Sequence, residues 1–220
     1  MTMRGLSHNL CVVRSEVSVK WFRSTLSPKT DAARCLNLLV VPWPLEFGPT
    51  AFRSTDAALP TMDPEKFGFF EFAPTDDPDG TRVVEFLRAT LESARRRVGR
   101  IDGVVLPECA IAEAHLPRVQ DVVAEAGGAE EPVVPFLLAG IRGAHENFAV
   151  FCTREDEHWR VAKQHKHHRW CLDERQIHNY SLASQLPPFR RWWEDIDIPR
   201  RSLQFVCANG WLTQIGRAHV

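Results

Sequence analysis

The passage from Thr81 to Glu108, "TRVVEFLRATLESARRRVGRIDGVVLPE", narrows the fold most, because an amphipathic helix runs there directly into a short apolar strand. Val83, Val84, Leu87, Leu91, Ala94 and Val98 recur at helical steps and share one face over 82–98. Thr81 is a candidate N-cap, and Arg95, Arg96 and Arg97 stand at the negative end of the helix dipole, which reads as a solvated helix end. "IDGVVLPECA" follows as a strand that stops at Pro107-Glu108. Such a helix must fold back onto a sheet, which predicts an α/β layered domain.

The neighbouring segments extend that order. "CLNLLVVPW" is a continuous apolar run and predicts a buried first strand. "EAHLPRVQDVVAEAG" predicts a second helix closed by Gly127, and "PVVPFLLAGIR" a third buried strand. "NFAVFCTREDEHWRVAKQHKHH" reads as a hairpin around a polar turn, "ERQIHNYSLASQL" as a short helix, and "RRSLQFVCANGWLT" as a second hairpin turning at Asn209-Gly210. From Pro44 to Gly80 the chain is rich in Pro, Thr and Asp with weak periodicity, so an irregular excursion with one short strand is expected.

The totals restrict the partners. A chain of 220 residues, 44% hydrophobic and 25% charged, suits one domain with a sizeable core. A net charge of −1 provides no global basic field for nucleic acid or an anionic membrane. The longest apolar runs fall short of the roughly 20 residues of a spanning helix. The N-terminus lacks an apolar signal core, so a soluble, cytoplasmic protein is expected. Its six cysteines are scattered and form no C-x-x-C pair, which argues against a disulfide framework or a cysteine zinc site.

Candidate chemistry lies at strand ends. Glu108 stands just past a buried strand, at the rim where α/β sheets place ligands. "KQHKHHRWCLDE" packs lysines, histidines and acids together. One reading is a hydrolytic site in which a lysine holds developing negative charge and Glu174 orients it. Another is a zinc site from His165, His167, His168 and His178, although strand alternation supplies only two imidazoles on one face. Cys207 in "LQFVCANGW" is either a nucleophile or a buried hairpin cysteine. "RRWWEDIDIPRR", with Trp192 and Trp193, could stack RNA bases or form a packed strand edge.

Taken in order, "LNLLVVPW", the helix at 82–98, "VVLPE", "NFAVF", "KHH" and "DE" resemble the nitrilase, or carbon–nitrogen hydrolase, superfamily over roughly residues 35–180. The resemblance implies an αββα sandwich and a thiol-dependent hydrolase of small-molecule amides or nitriles, with no metal or organic cofactor. It implies Glu108 as general base, Lys166 as oxyanion stabiliser and Glu174, eight residues beyond Lys166, as the second glutamate. Lys163 is the alternative lysine; three residues apart on a strand, the two face opposite sides, and Lys166 has the better distance to Glu174. Cys207 stands for the nucleophile, but the family's cysteine precedes acidic residues rather than an Ala-Asn-Gly turn.

The last seven residues, "QIGRAHV", back-translate with a stop codon to the start of a common sequencing adapter, so residues 214–220 are expected to be a non-native tail. The fold is then a sandwich incomplete at its C-terminus over 34–213, with the true nucleophile beyond Thr213 and the chain inactive as it stands. Residues 1–33 read as an arm or the remnant of an upstream region. The alternative reading is a catalytically silent nitrilase-like binding or assembly module of a larger protein, as in fusions to reverse transcriptases. Family members commonly pair, so a homo-oligomer is also implied.

Overall fold

The computed structural model describes residues 16–22, 36–60, 62–74, 77–126, 134–155, 157–166, 168–198, 202–208 and 211–215, the first and last two segments by backbone alone. In chain order the strands are β1 (Glu16–Phe22), β2 (Leu38–Val40), β3 (Phe52–Thr55), β4 (Phe67–Phe72), β5 (Gly103–Val105) and β6 (Ile111–Ala112). They continue with β7 (Phe136–Arg142), β8 (Asn147–Glu155), β9 (His158–His165), β10 (Cys171–Leu172), β11 (Arg191–Glu194), β12 (Ser202–Ala208) and β13 (Trp211–Ile215). The α-helices are α1 (Thr81–Val98), α2 (Leu116–Glu125) and α3 (Glu174–Asn179).

The expected alternation of strand and helix builds the first sheet. β2, β5 and β7 are parallel neighbours, and β8 and β9 continue the sheet as an antiparallel hairpin. Val83, Val84, Leu87 and Leu91 of α1 and Val119, Val122 and Val123 of α2 bury one face of it, against Val104, Leu137, Ile141 and Val150. Alternation along the strands sends Phe151 and Ala162 to the opposite face, beside Phe136 and Leu138.

The long excursion is more ordered than its composition predicts. It supplies β3 and β4, and the second sheet runs β10-β11-β4-β3, with β11 parallel to β4. Phe52, Phe70, Leu172 and Trp192 join Ile177 of α3 in a second core. Trp192 is buried there, so a base-stacking role for it is not available in this arrangement. β12 and β13 form the expected hairpin, with β1 parallel to β12; residues 209–210 of the turn lie outside the described residues, as does Gly127.

Two local expectations change. The first strand is neither long nor buried: β2 pairs with β5 at the sheet edge, and Leu38 and Val40 remain 46% and 67% exposed, while the burial falls on Val41 and Trp43 beyond it. Thr81 is the first helical residue rather than the cap. Gly80 occupies the N-cap at φ 72°, where a side chain would be strained, and the amides of Arg82 and Val83 donate to the Asp77 carboxylate at 2.9 Å each. Asp77→Ala is therefore expected to cost about 1 kcal/mol, a clear fall in the urea midpoint, whereas Thr81→Ala has the smaller effect. Equal effects of the two substitutions would contradict the capping role of Asp77.

Among the described residues no helix is long and apolar enough to cross a membrane.

Candidate active site

The site is assembled from ends of elements in both main sheets. Glu108 lies just past β5, in a turn pressed onto β7: the Gly140 amide donates to the Pro107 carbonyl at 3.1 Å. A Cβ on Gly140 would come within 2.4 Å of Glu108 Cα and of the Pro107 oxygen, so glycine lets the turn close over the strand. Asn147 opens β8, and Lys166 follows β9, its amide donating to the Asn147 carbonyl at 2.8 Å. Glu194 ends β11 in the second sheet.

These four side chains form a closed polar network. The Lys166 ammonium lies 2.6 Å from Glu108 Oε1 and 2.6 Å from Glu194 Oε2. Asn147 Nδ2 donates to the same two residues, at 2.8 Å to Glu108 Oε1 and 2.8 Å to Glu194 Oε1. The Trp170 amide adds a donor to Glu194 Oε2 at 3.0 Å. The side chains of Lys166 and Glu194 are 9% and 6% exposed, whereas that of Glu108 is 55% exposed. Glu194 is thus the fixed counter-ion and Glu108 the accessible carboxylate.

Burial works to lower the Lys166 pKa, but Glu194 and Glu108 together outweigh it and hold the ammonium above its ordinary value. Lys166 is charged at neutral pH. The arrangement places one cation between a buried and an accessible carboxylate, a geometry in which Glu108 can meet a ligand while the ammonium faces any oxygen that gains charge.

The structure brings Glu108 and Lys166 together and leaves Glu174 apart from them. Glu174 is exposed in the first turn of α3, a helix capped by Asp173 and Gln176, and its side chain makes no hydrogen bond or ion pair among the described residues. The second glutamate on the lysine is Glu194. Lys163 is turned elsewhere: its Nζ sits 2.6 Å from Glu146 Oε2 and 3.6 Å from the Phe148 ring centre. Cys207 is on β12 opposite Trp21 and Leu212, but its side chain lies outside the described residues.

Asn147 opens the "NFAVF" run of the resemblance and Glu194 lies in "RRWWEDIDIPRR", but neither receives a role from the sequence. A signal existed for Glu194, since "RWWE" ends an aromatic strand on a carboxylate much as "GVVLPE" does.

Cys109 follows Glu108 and adopts a positive φ of 55°, with its carbonyl held by Arg142 Nε at 3.2 Å. This conformation costs a non-glycine residue on the order of 1 kcal/mol. Burial, with Glu194 and Glu108 adding to it, pushes the thiol pKa up to about 12 despite opposing pulls from Lys166 and Arg142. Cys109 is buried and its thiol stays protonated, the opposite of an activated nucleophile. Native protein at pH 8 is expected to leave Cys109 unmodified by iodoacetamide over a time in which the urea-unfolded chain is fully labelled. Rapid native labelling, read by peptide mass spectrometry, would contradict this environment.

Metal ligation has one candidate grouping among the described residues: ligand atoms of Glu108, Cys109 and Glu194 lie within 4.8 Å of one another. A cation there would face the Lys166 ammonium, so this donor set fits proton transfer better than a metal. The histidines proposed for zinc do not converge. His165 Nδ1 is 3.9 Å from Glu146, His168 and His178 are exposed, and His167 lies outside the described residues. Burial and the Lys163 ammonium hold His165 below the usual imidazole range.

No known protein family, no curated protein and no solved structure matches this chain.

Proposed function

We propose that the chain carries the glutamate and lysine machinery of a thiol-dependent carbon–nitrogen hydrolase, on a nitrilase-like αββα sandwich, acting on a small-molecule amide or nitrile. The observation that carries the reading is the Lys166 ammonium held at 2.6 Å from both an accessible carboxylate, Glu108, and a buried one, Glu194. The arrangement of elements supports the fold: parallel β2, β5 and β7 under two helices, extended by a hairpin, and a second sheet drawn from both sides of that run in the chain.

In this reading Glu108 takes the proton of a cysteine thiol as sulfur bonds to the amide carbon, and Lys166 faces the oxygen that becomes an oxyanion. The C–N bond then breaks, and the leaving nitrogen takes the proton from Glu108, giving ammonia and a thioester. Glu108 next deprotonates water, whose oxygen bonds to the thioester carbon; the thiolate leaves and recovers that proton. The net change is amide plus water to carboxylic acid plus ammonia. Glu194, Asn147 and the Trp170 amide keep the lysine in place, the role the sequence resemblance assigned to Glu174. In this reading the candidate nucleophile in the chain is Cys207.

The test assays the protein for ammonia release from a panel of primary amides and nitriles. Glu108→Gln and Lys166→Met are expected to reduce turnover at least 100-fold, and Cys207→Ala shows whether that thiol is the nucleophile. Turnover that survives both the Glu108 and Lys166 substitutions would sink the reading. Absence of any turnover would favour the non-catalytic binding module.

A further inference from the structure

Arg142 ends β7, and its position in the register is opposite Asn147, one of the residues that bridges Glu108 and Glu194. Its Nε donates to the carbonyl of Cys109, the residue after Glu108. Among the described residues Arg142 makes no ion pair and no other hydrogen bond, although a guanidinium has donors to spare. The side chain is half-buried, and burial works against its charge. The guanidinium also lies over the Phe72 ring, 6.0 Å from its centre, but no carboxylate pairs with it among the described residues. A partly desolvated cation without a counter-ion is costly, and an anion is its natural complement.

Two cavities meet at this residue. One, of about 330 Å³, is walled by Trp43, Pro44, Leu45 and Ile111, with Arg142 among its lining. It opens beyond the C-terminal ends of β2 and β5, the edge at which open α/β sheets hold ligands. Two carboxylates also border it, but Asp77 is committed to the first amides of α1, and Glu46 is exposed. The other cavity, of about 530 Å³, is lined by Asn147 and Glu194 of the polar network and again by Arg142, with Glu71, Glu113, Glu146 and Asp195 also on its wall, so the anion belongs in the first cavity rather than this acidic one.

We propose that Arg142 is the anion anchor of a ligand site in which an apolar body occupies the cleft between Trp43 and Ile111 and a carboxylate pairs with the guanidinium. Resting on the hydrolase reading, this makes the substrate an amide or nitrile that also carries a carboxylate. Arg142 then fixes one end of the molecule beside the Glu108, Lys166 and Glu194 cluster. A planar guanidinium suits a carboxylate in a bidentate pair, which an ammonium matches less well.

The experiment titrates the 220-residue chain with hydrocinnamate, hydrocinnamyl alcohol and hydrocinnamylamine by isothermal calorimetry. The acid is expected to bind at least tenfold more tightly than the alcohol or the amine. Arg142→Gln should abolish that preference, and Arg142→Lys, which keeps the charge, should retain part of it. In the unaltered chain the Nε–H resonance of Arg142, identified by its absence from the Arg142→Lys spectrum, should move when the acid is added, a readout that needs no folded variant for the binding itself. Acid binding no tighter than the alcohol's, a preference for the amine, an unmoved resonance, or an undiminished preference in Arg142→Gln would each overturn the proposal. Binding is read without turnover, so these outcomes are separable from a failure of ammonia release, which bears on the hydrolase reading alone.

Discussion

Replacing Lys166 with methionine is expected to destabilise the protein by about 3–5 kcal/mol, because it strands the Glu194 carboxylate in the interior with no cationic partner. The cost arises at Glu194, whose side chain is 6% exposed; Glu108 is 55% exposed, and solvent screening makes its share small. The double replacement Lys166→Met with Glu194→Gln should recover part of the loss, since a neutral amide can still accept the Trp170 amide proton. Urea unfolding of the protein and both variants checks this, and a double variant no better than the single would contradict it. The pH dependence has a definite sign. The folded pKa of Lys166 is raised above 10.5, so its contribution is complete below pH 10.5 and is lost as pH rises through the folded value. The stability advantage over Lys166→Met should therefore shrink only in strongly alkaline solution.

Gly140→Ala is expected to be the second severe substitution, costing about 3 kcal/mol, the upper end of what overpacking does. The added Cβ would stand 2.4 Å from Glu108 Cα, 2.4 Å from the Pro107 oxygen and 2.8 Å from the Cys109 nitrogen. All three are backbone atoms in a turn, which cannot step aside as the end of a flexible side chain can. Either β7 separates from the turn, or Glu108 moves away from Lys166. Gly48→Ala is the control, since its Cβ would meet nothing nearer than Thr50 Oγ1 at 3.8 Å. Equal urea midpoints for the two alanine variants would contradict the close packing of the turn on β7.

The parts legible in the sequence are those governed by local pattern. Val83, Val84, Leu87 and Leu91 share a helical face by spacing alone, and all four are buried in the first core. The hairpin of β8 and β9 needed only two apolar runs and a polar turn, and Glu108 was marked by the strand it terminates. What escaped depends on distant pairing. Glu194 is 28 residues from Lys166 along the chain and reaches it because β11 inserts between β10 and β4. No spacing rule reports such an insertion, so Glu174, near in sequence, looked the better partner.

The same limitation explains the excursion and the first strand. Phe52–Thr55 and Phe67–Phe72 become strands because they pair with each other and with β11, which overrides the turn-forming residues around them. Leu38 and Val40 have the composition of core residues, yet the sheet edge leaves them exposed, since composition does not say which strand lies outermost. At the start of α1 several cap-forming residues compete, and the left-handed Gly80 gives the role to Asp77 rather than Thr81.

The most direct test of the site is an NMR titration of the Lys166 ammonium in the unaltered chain and in Glu108→Gln, Glu194→Gln and Glu174→Gln. The account predicts a pKa above 10.5 that falls in both the Glu108 and the Glu194 variants and is unchanged in the Glu174 variant. A pKa that falls with Glu174 and is indifferent to Glu194 would contradict the assignment of Glu194 as the lysine's second carboxylate, and with it the geometry on which the proposed hydrolase rests.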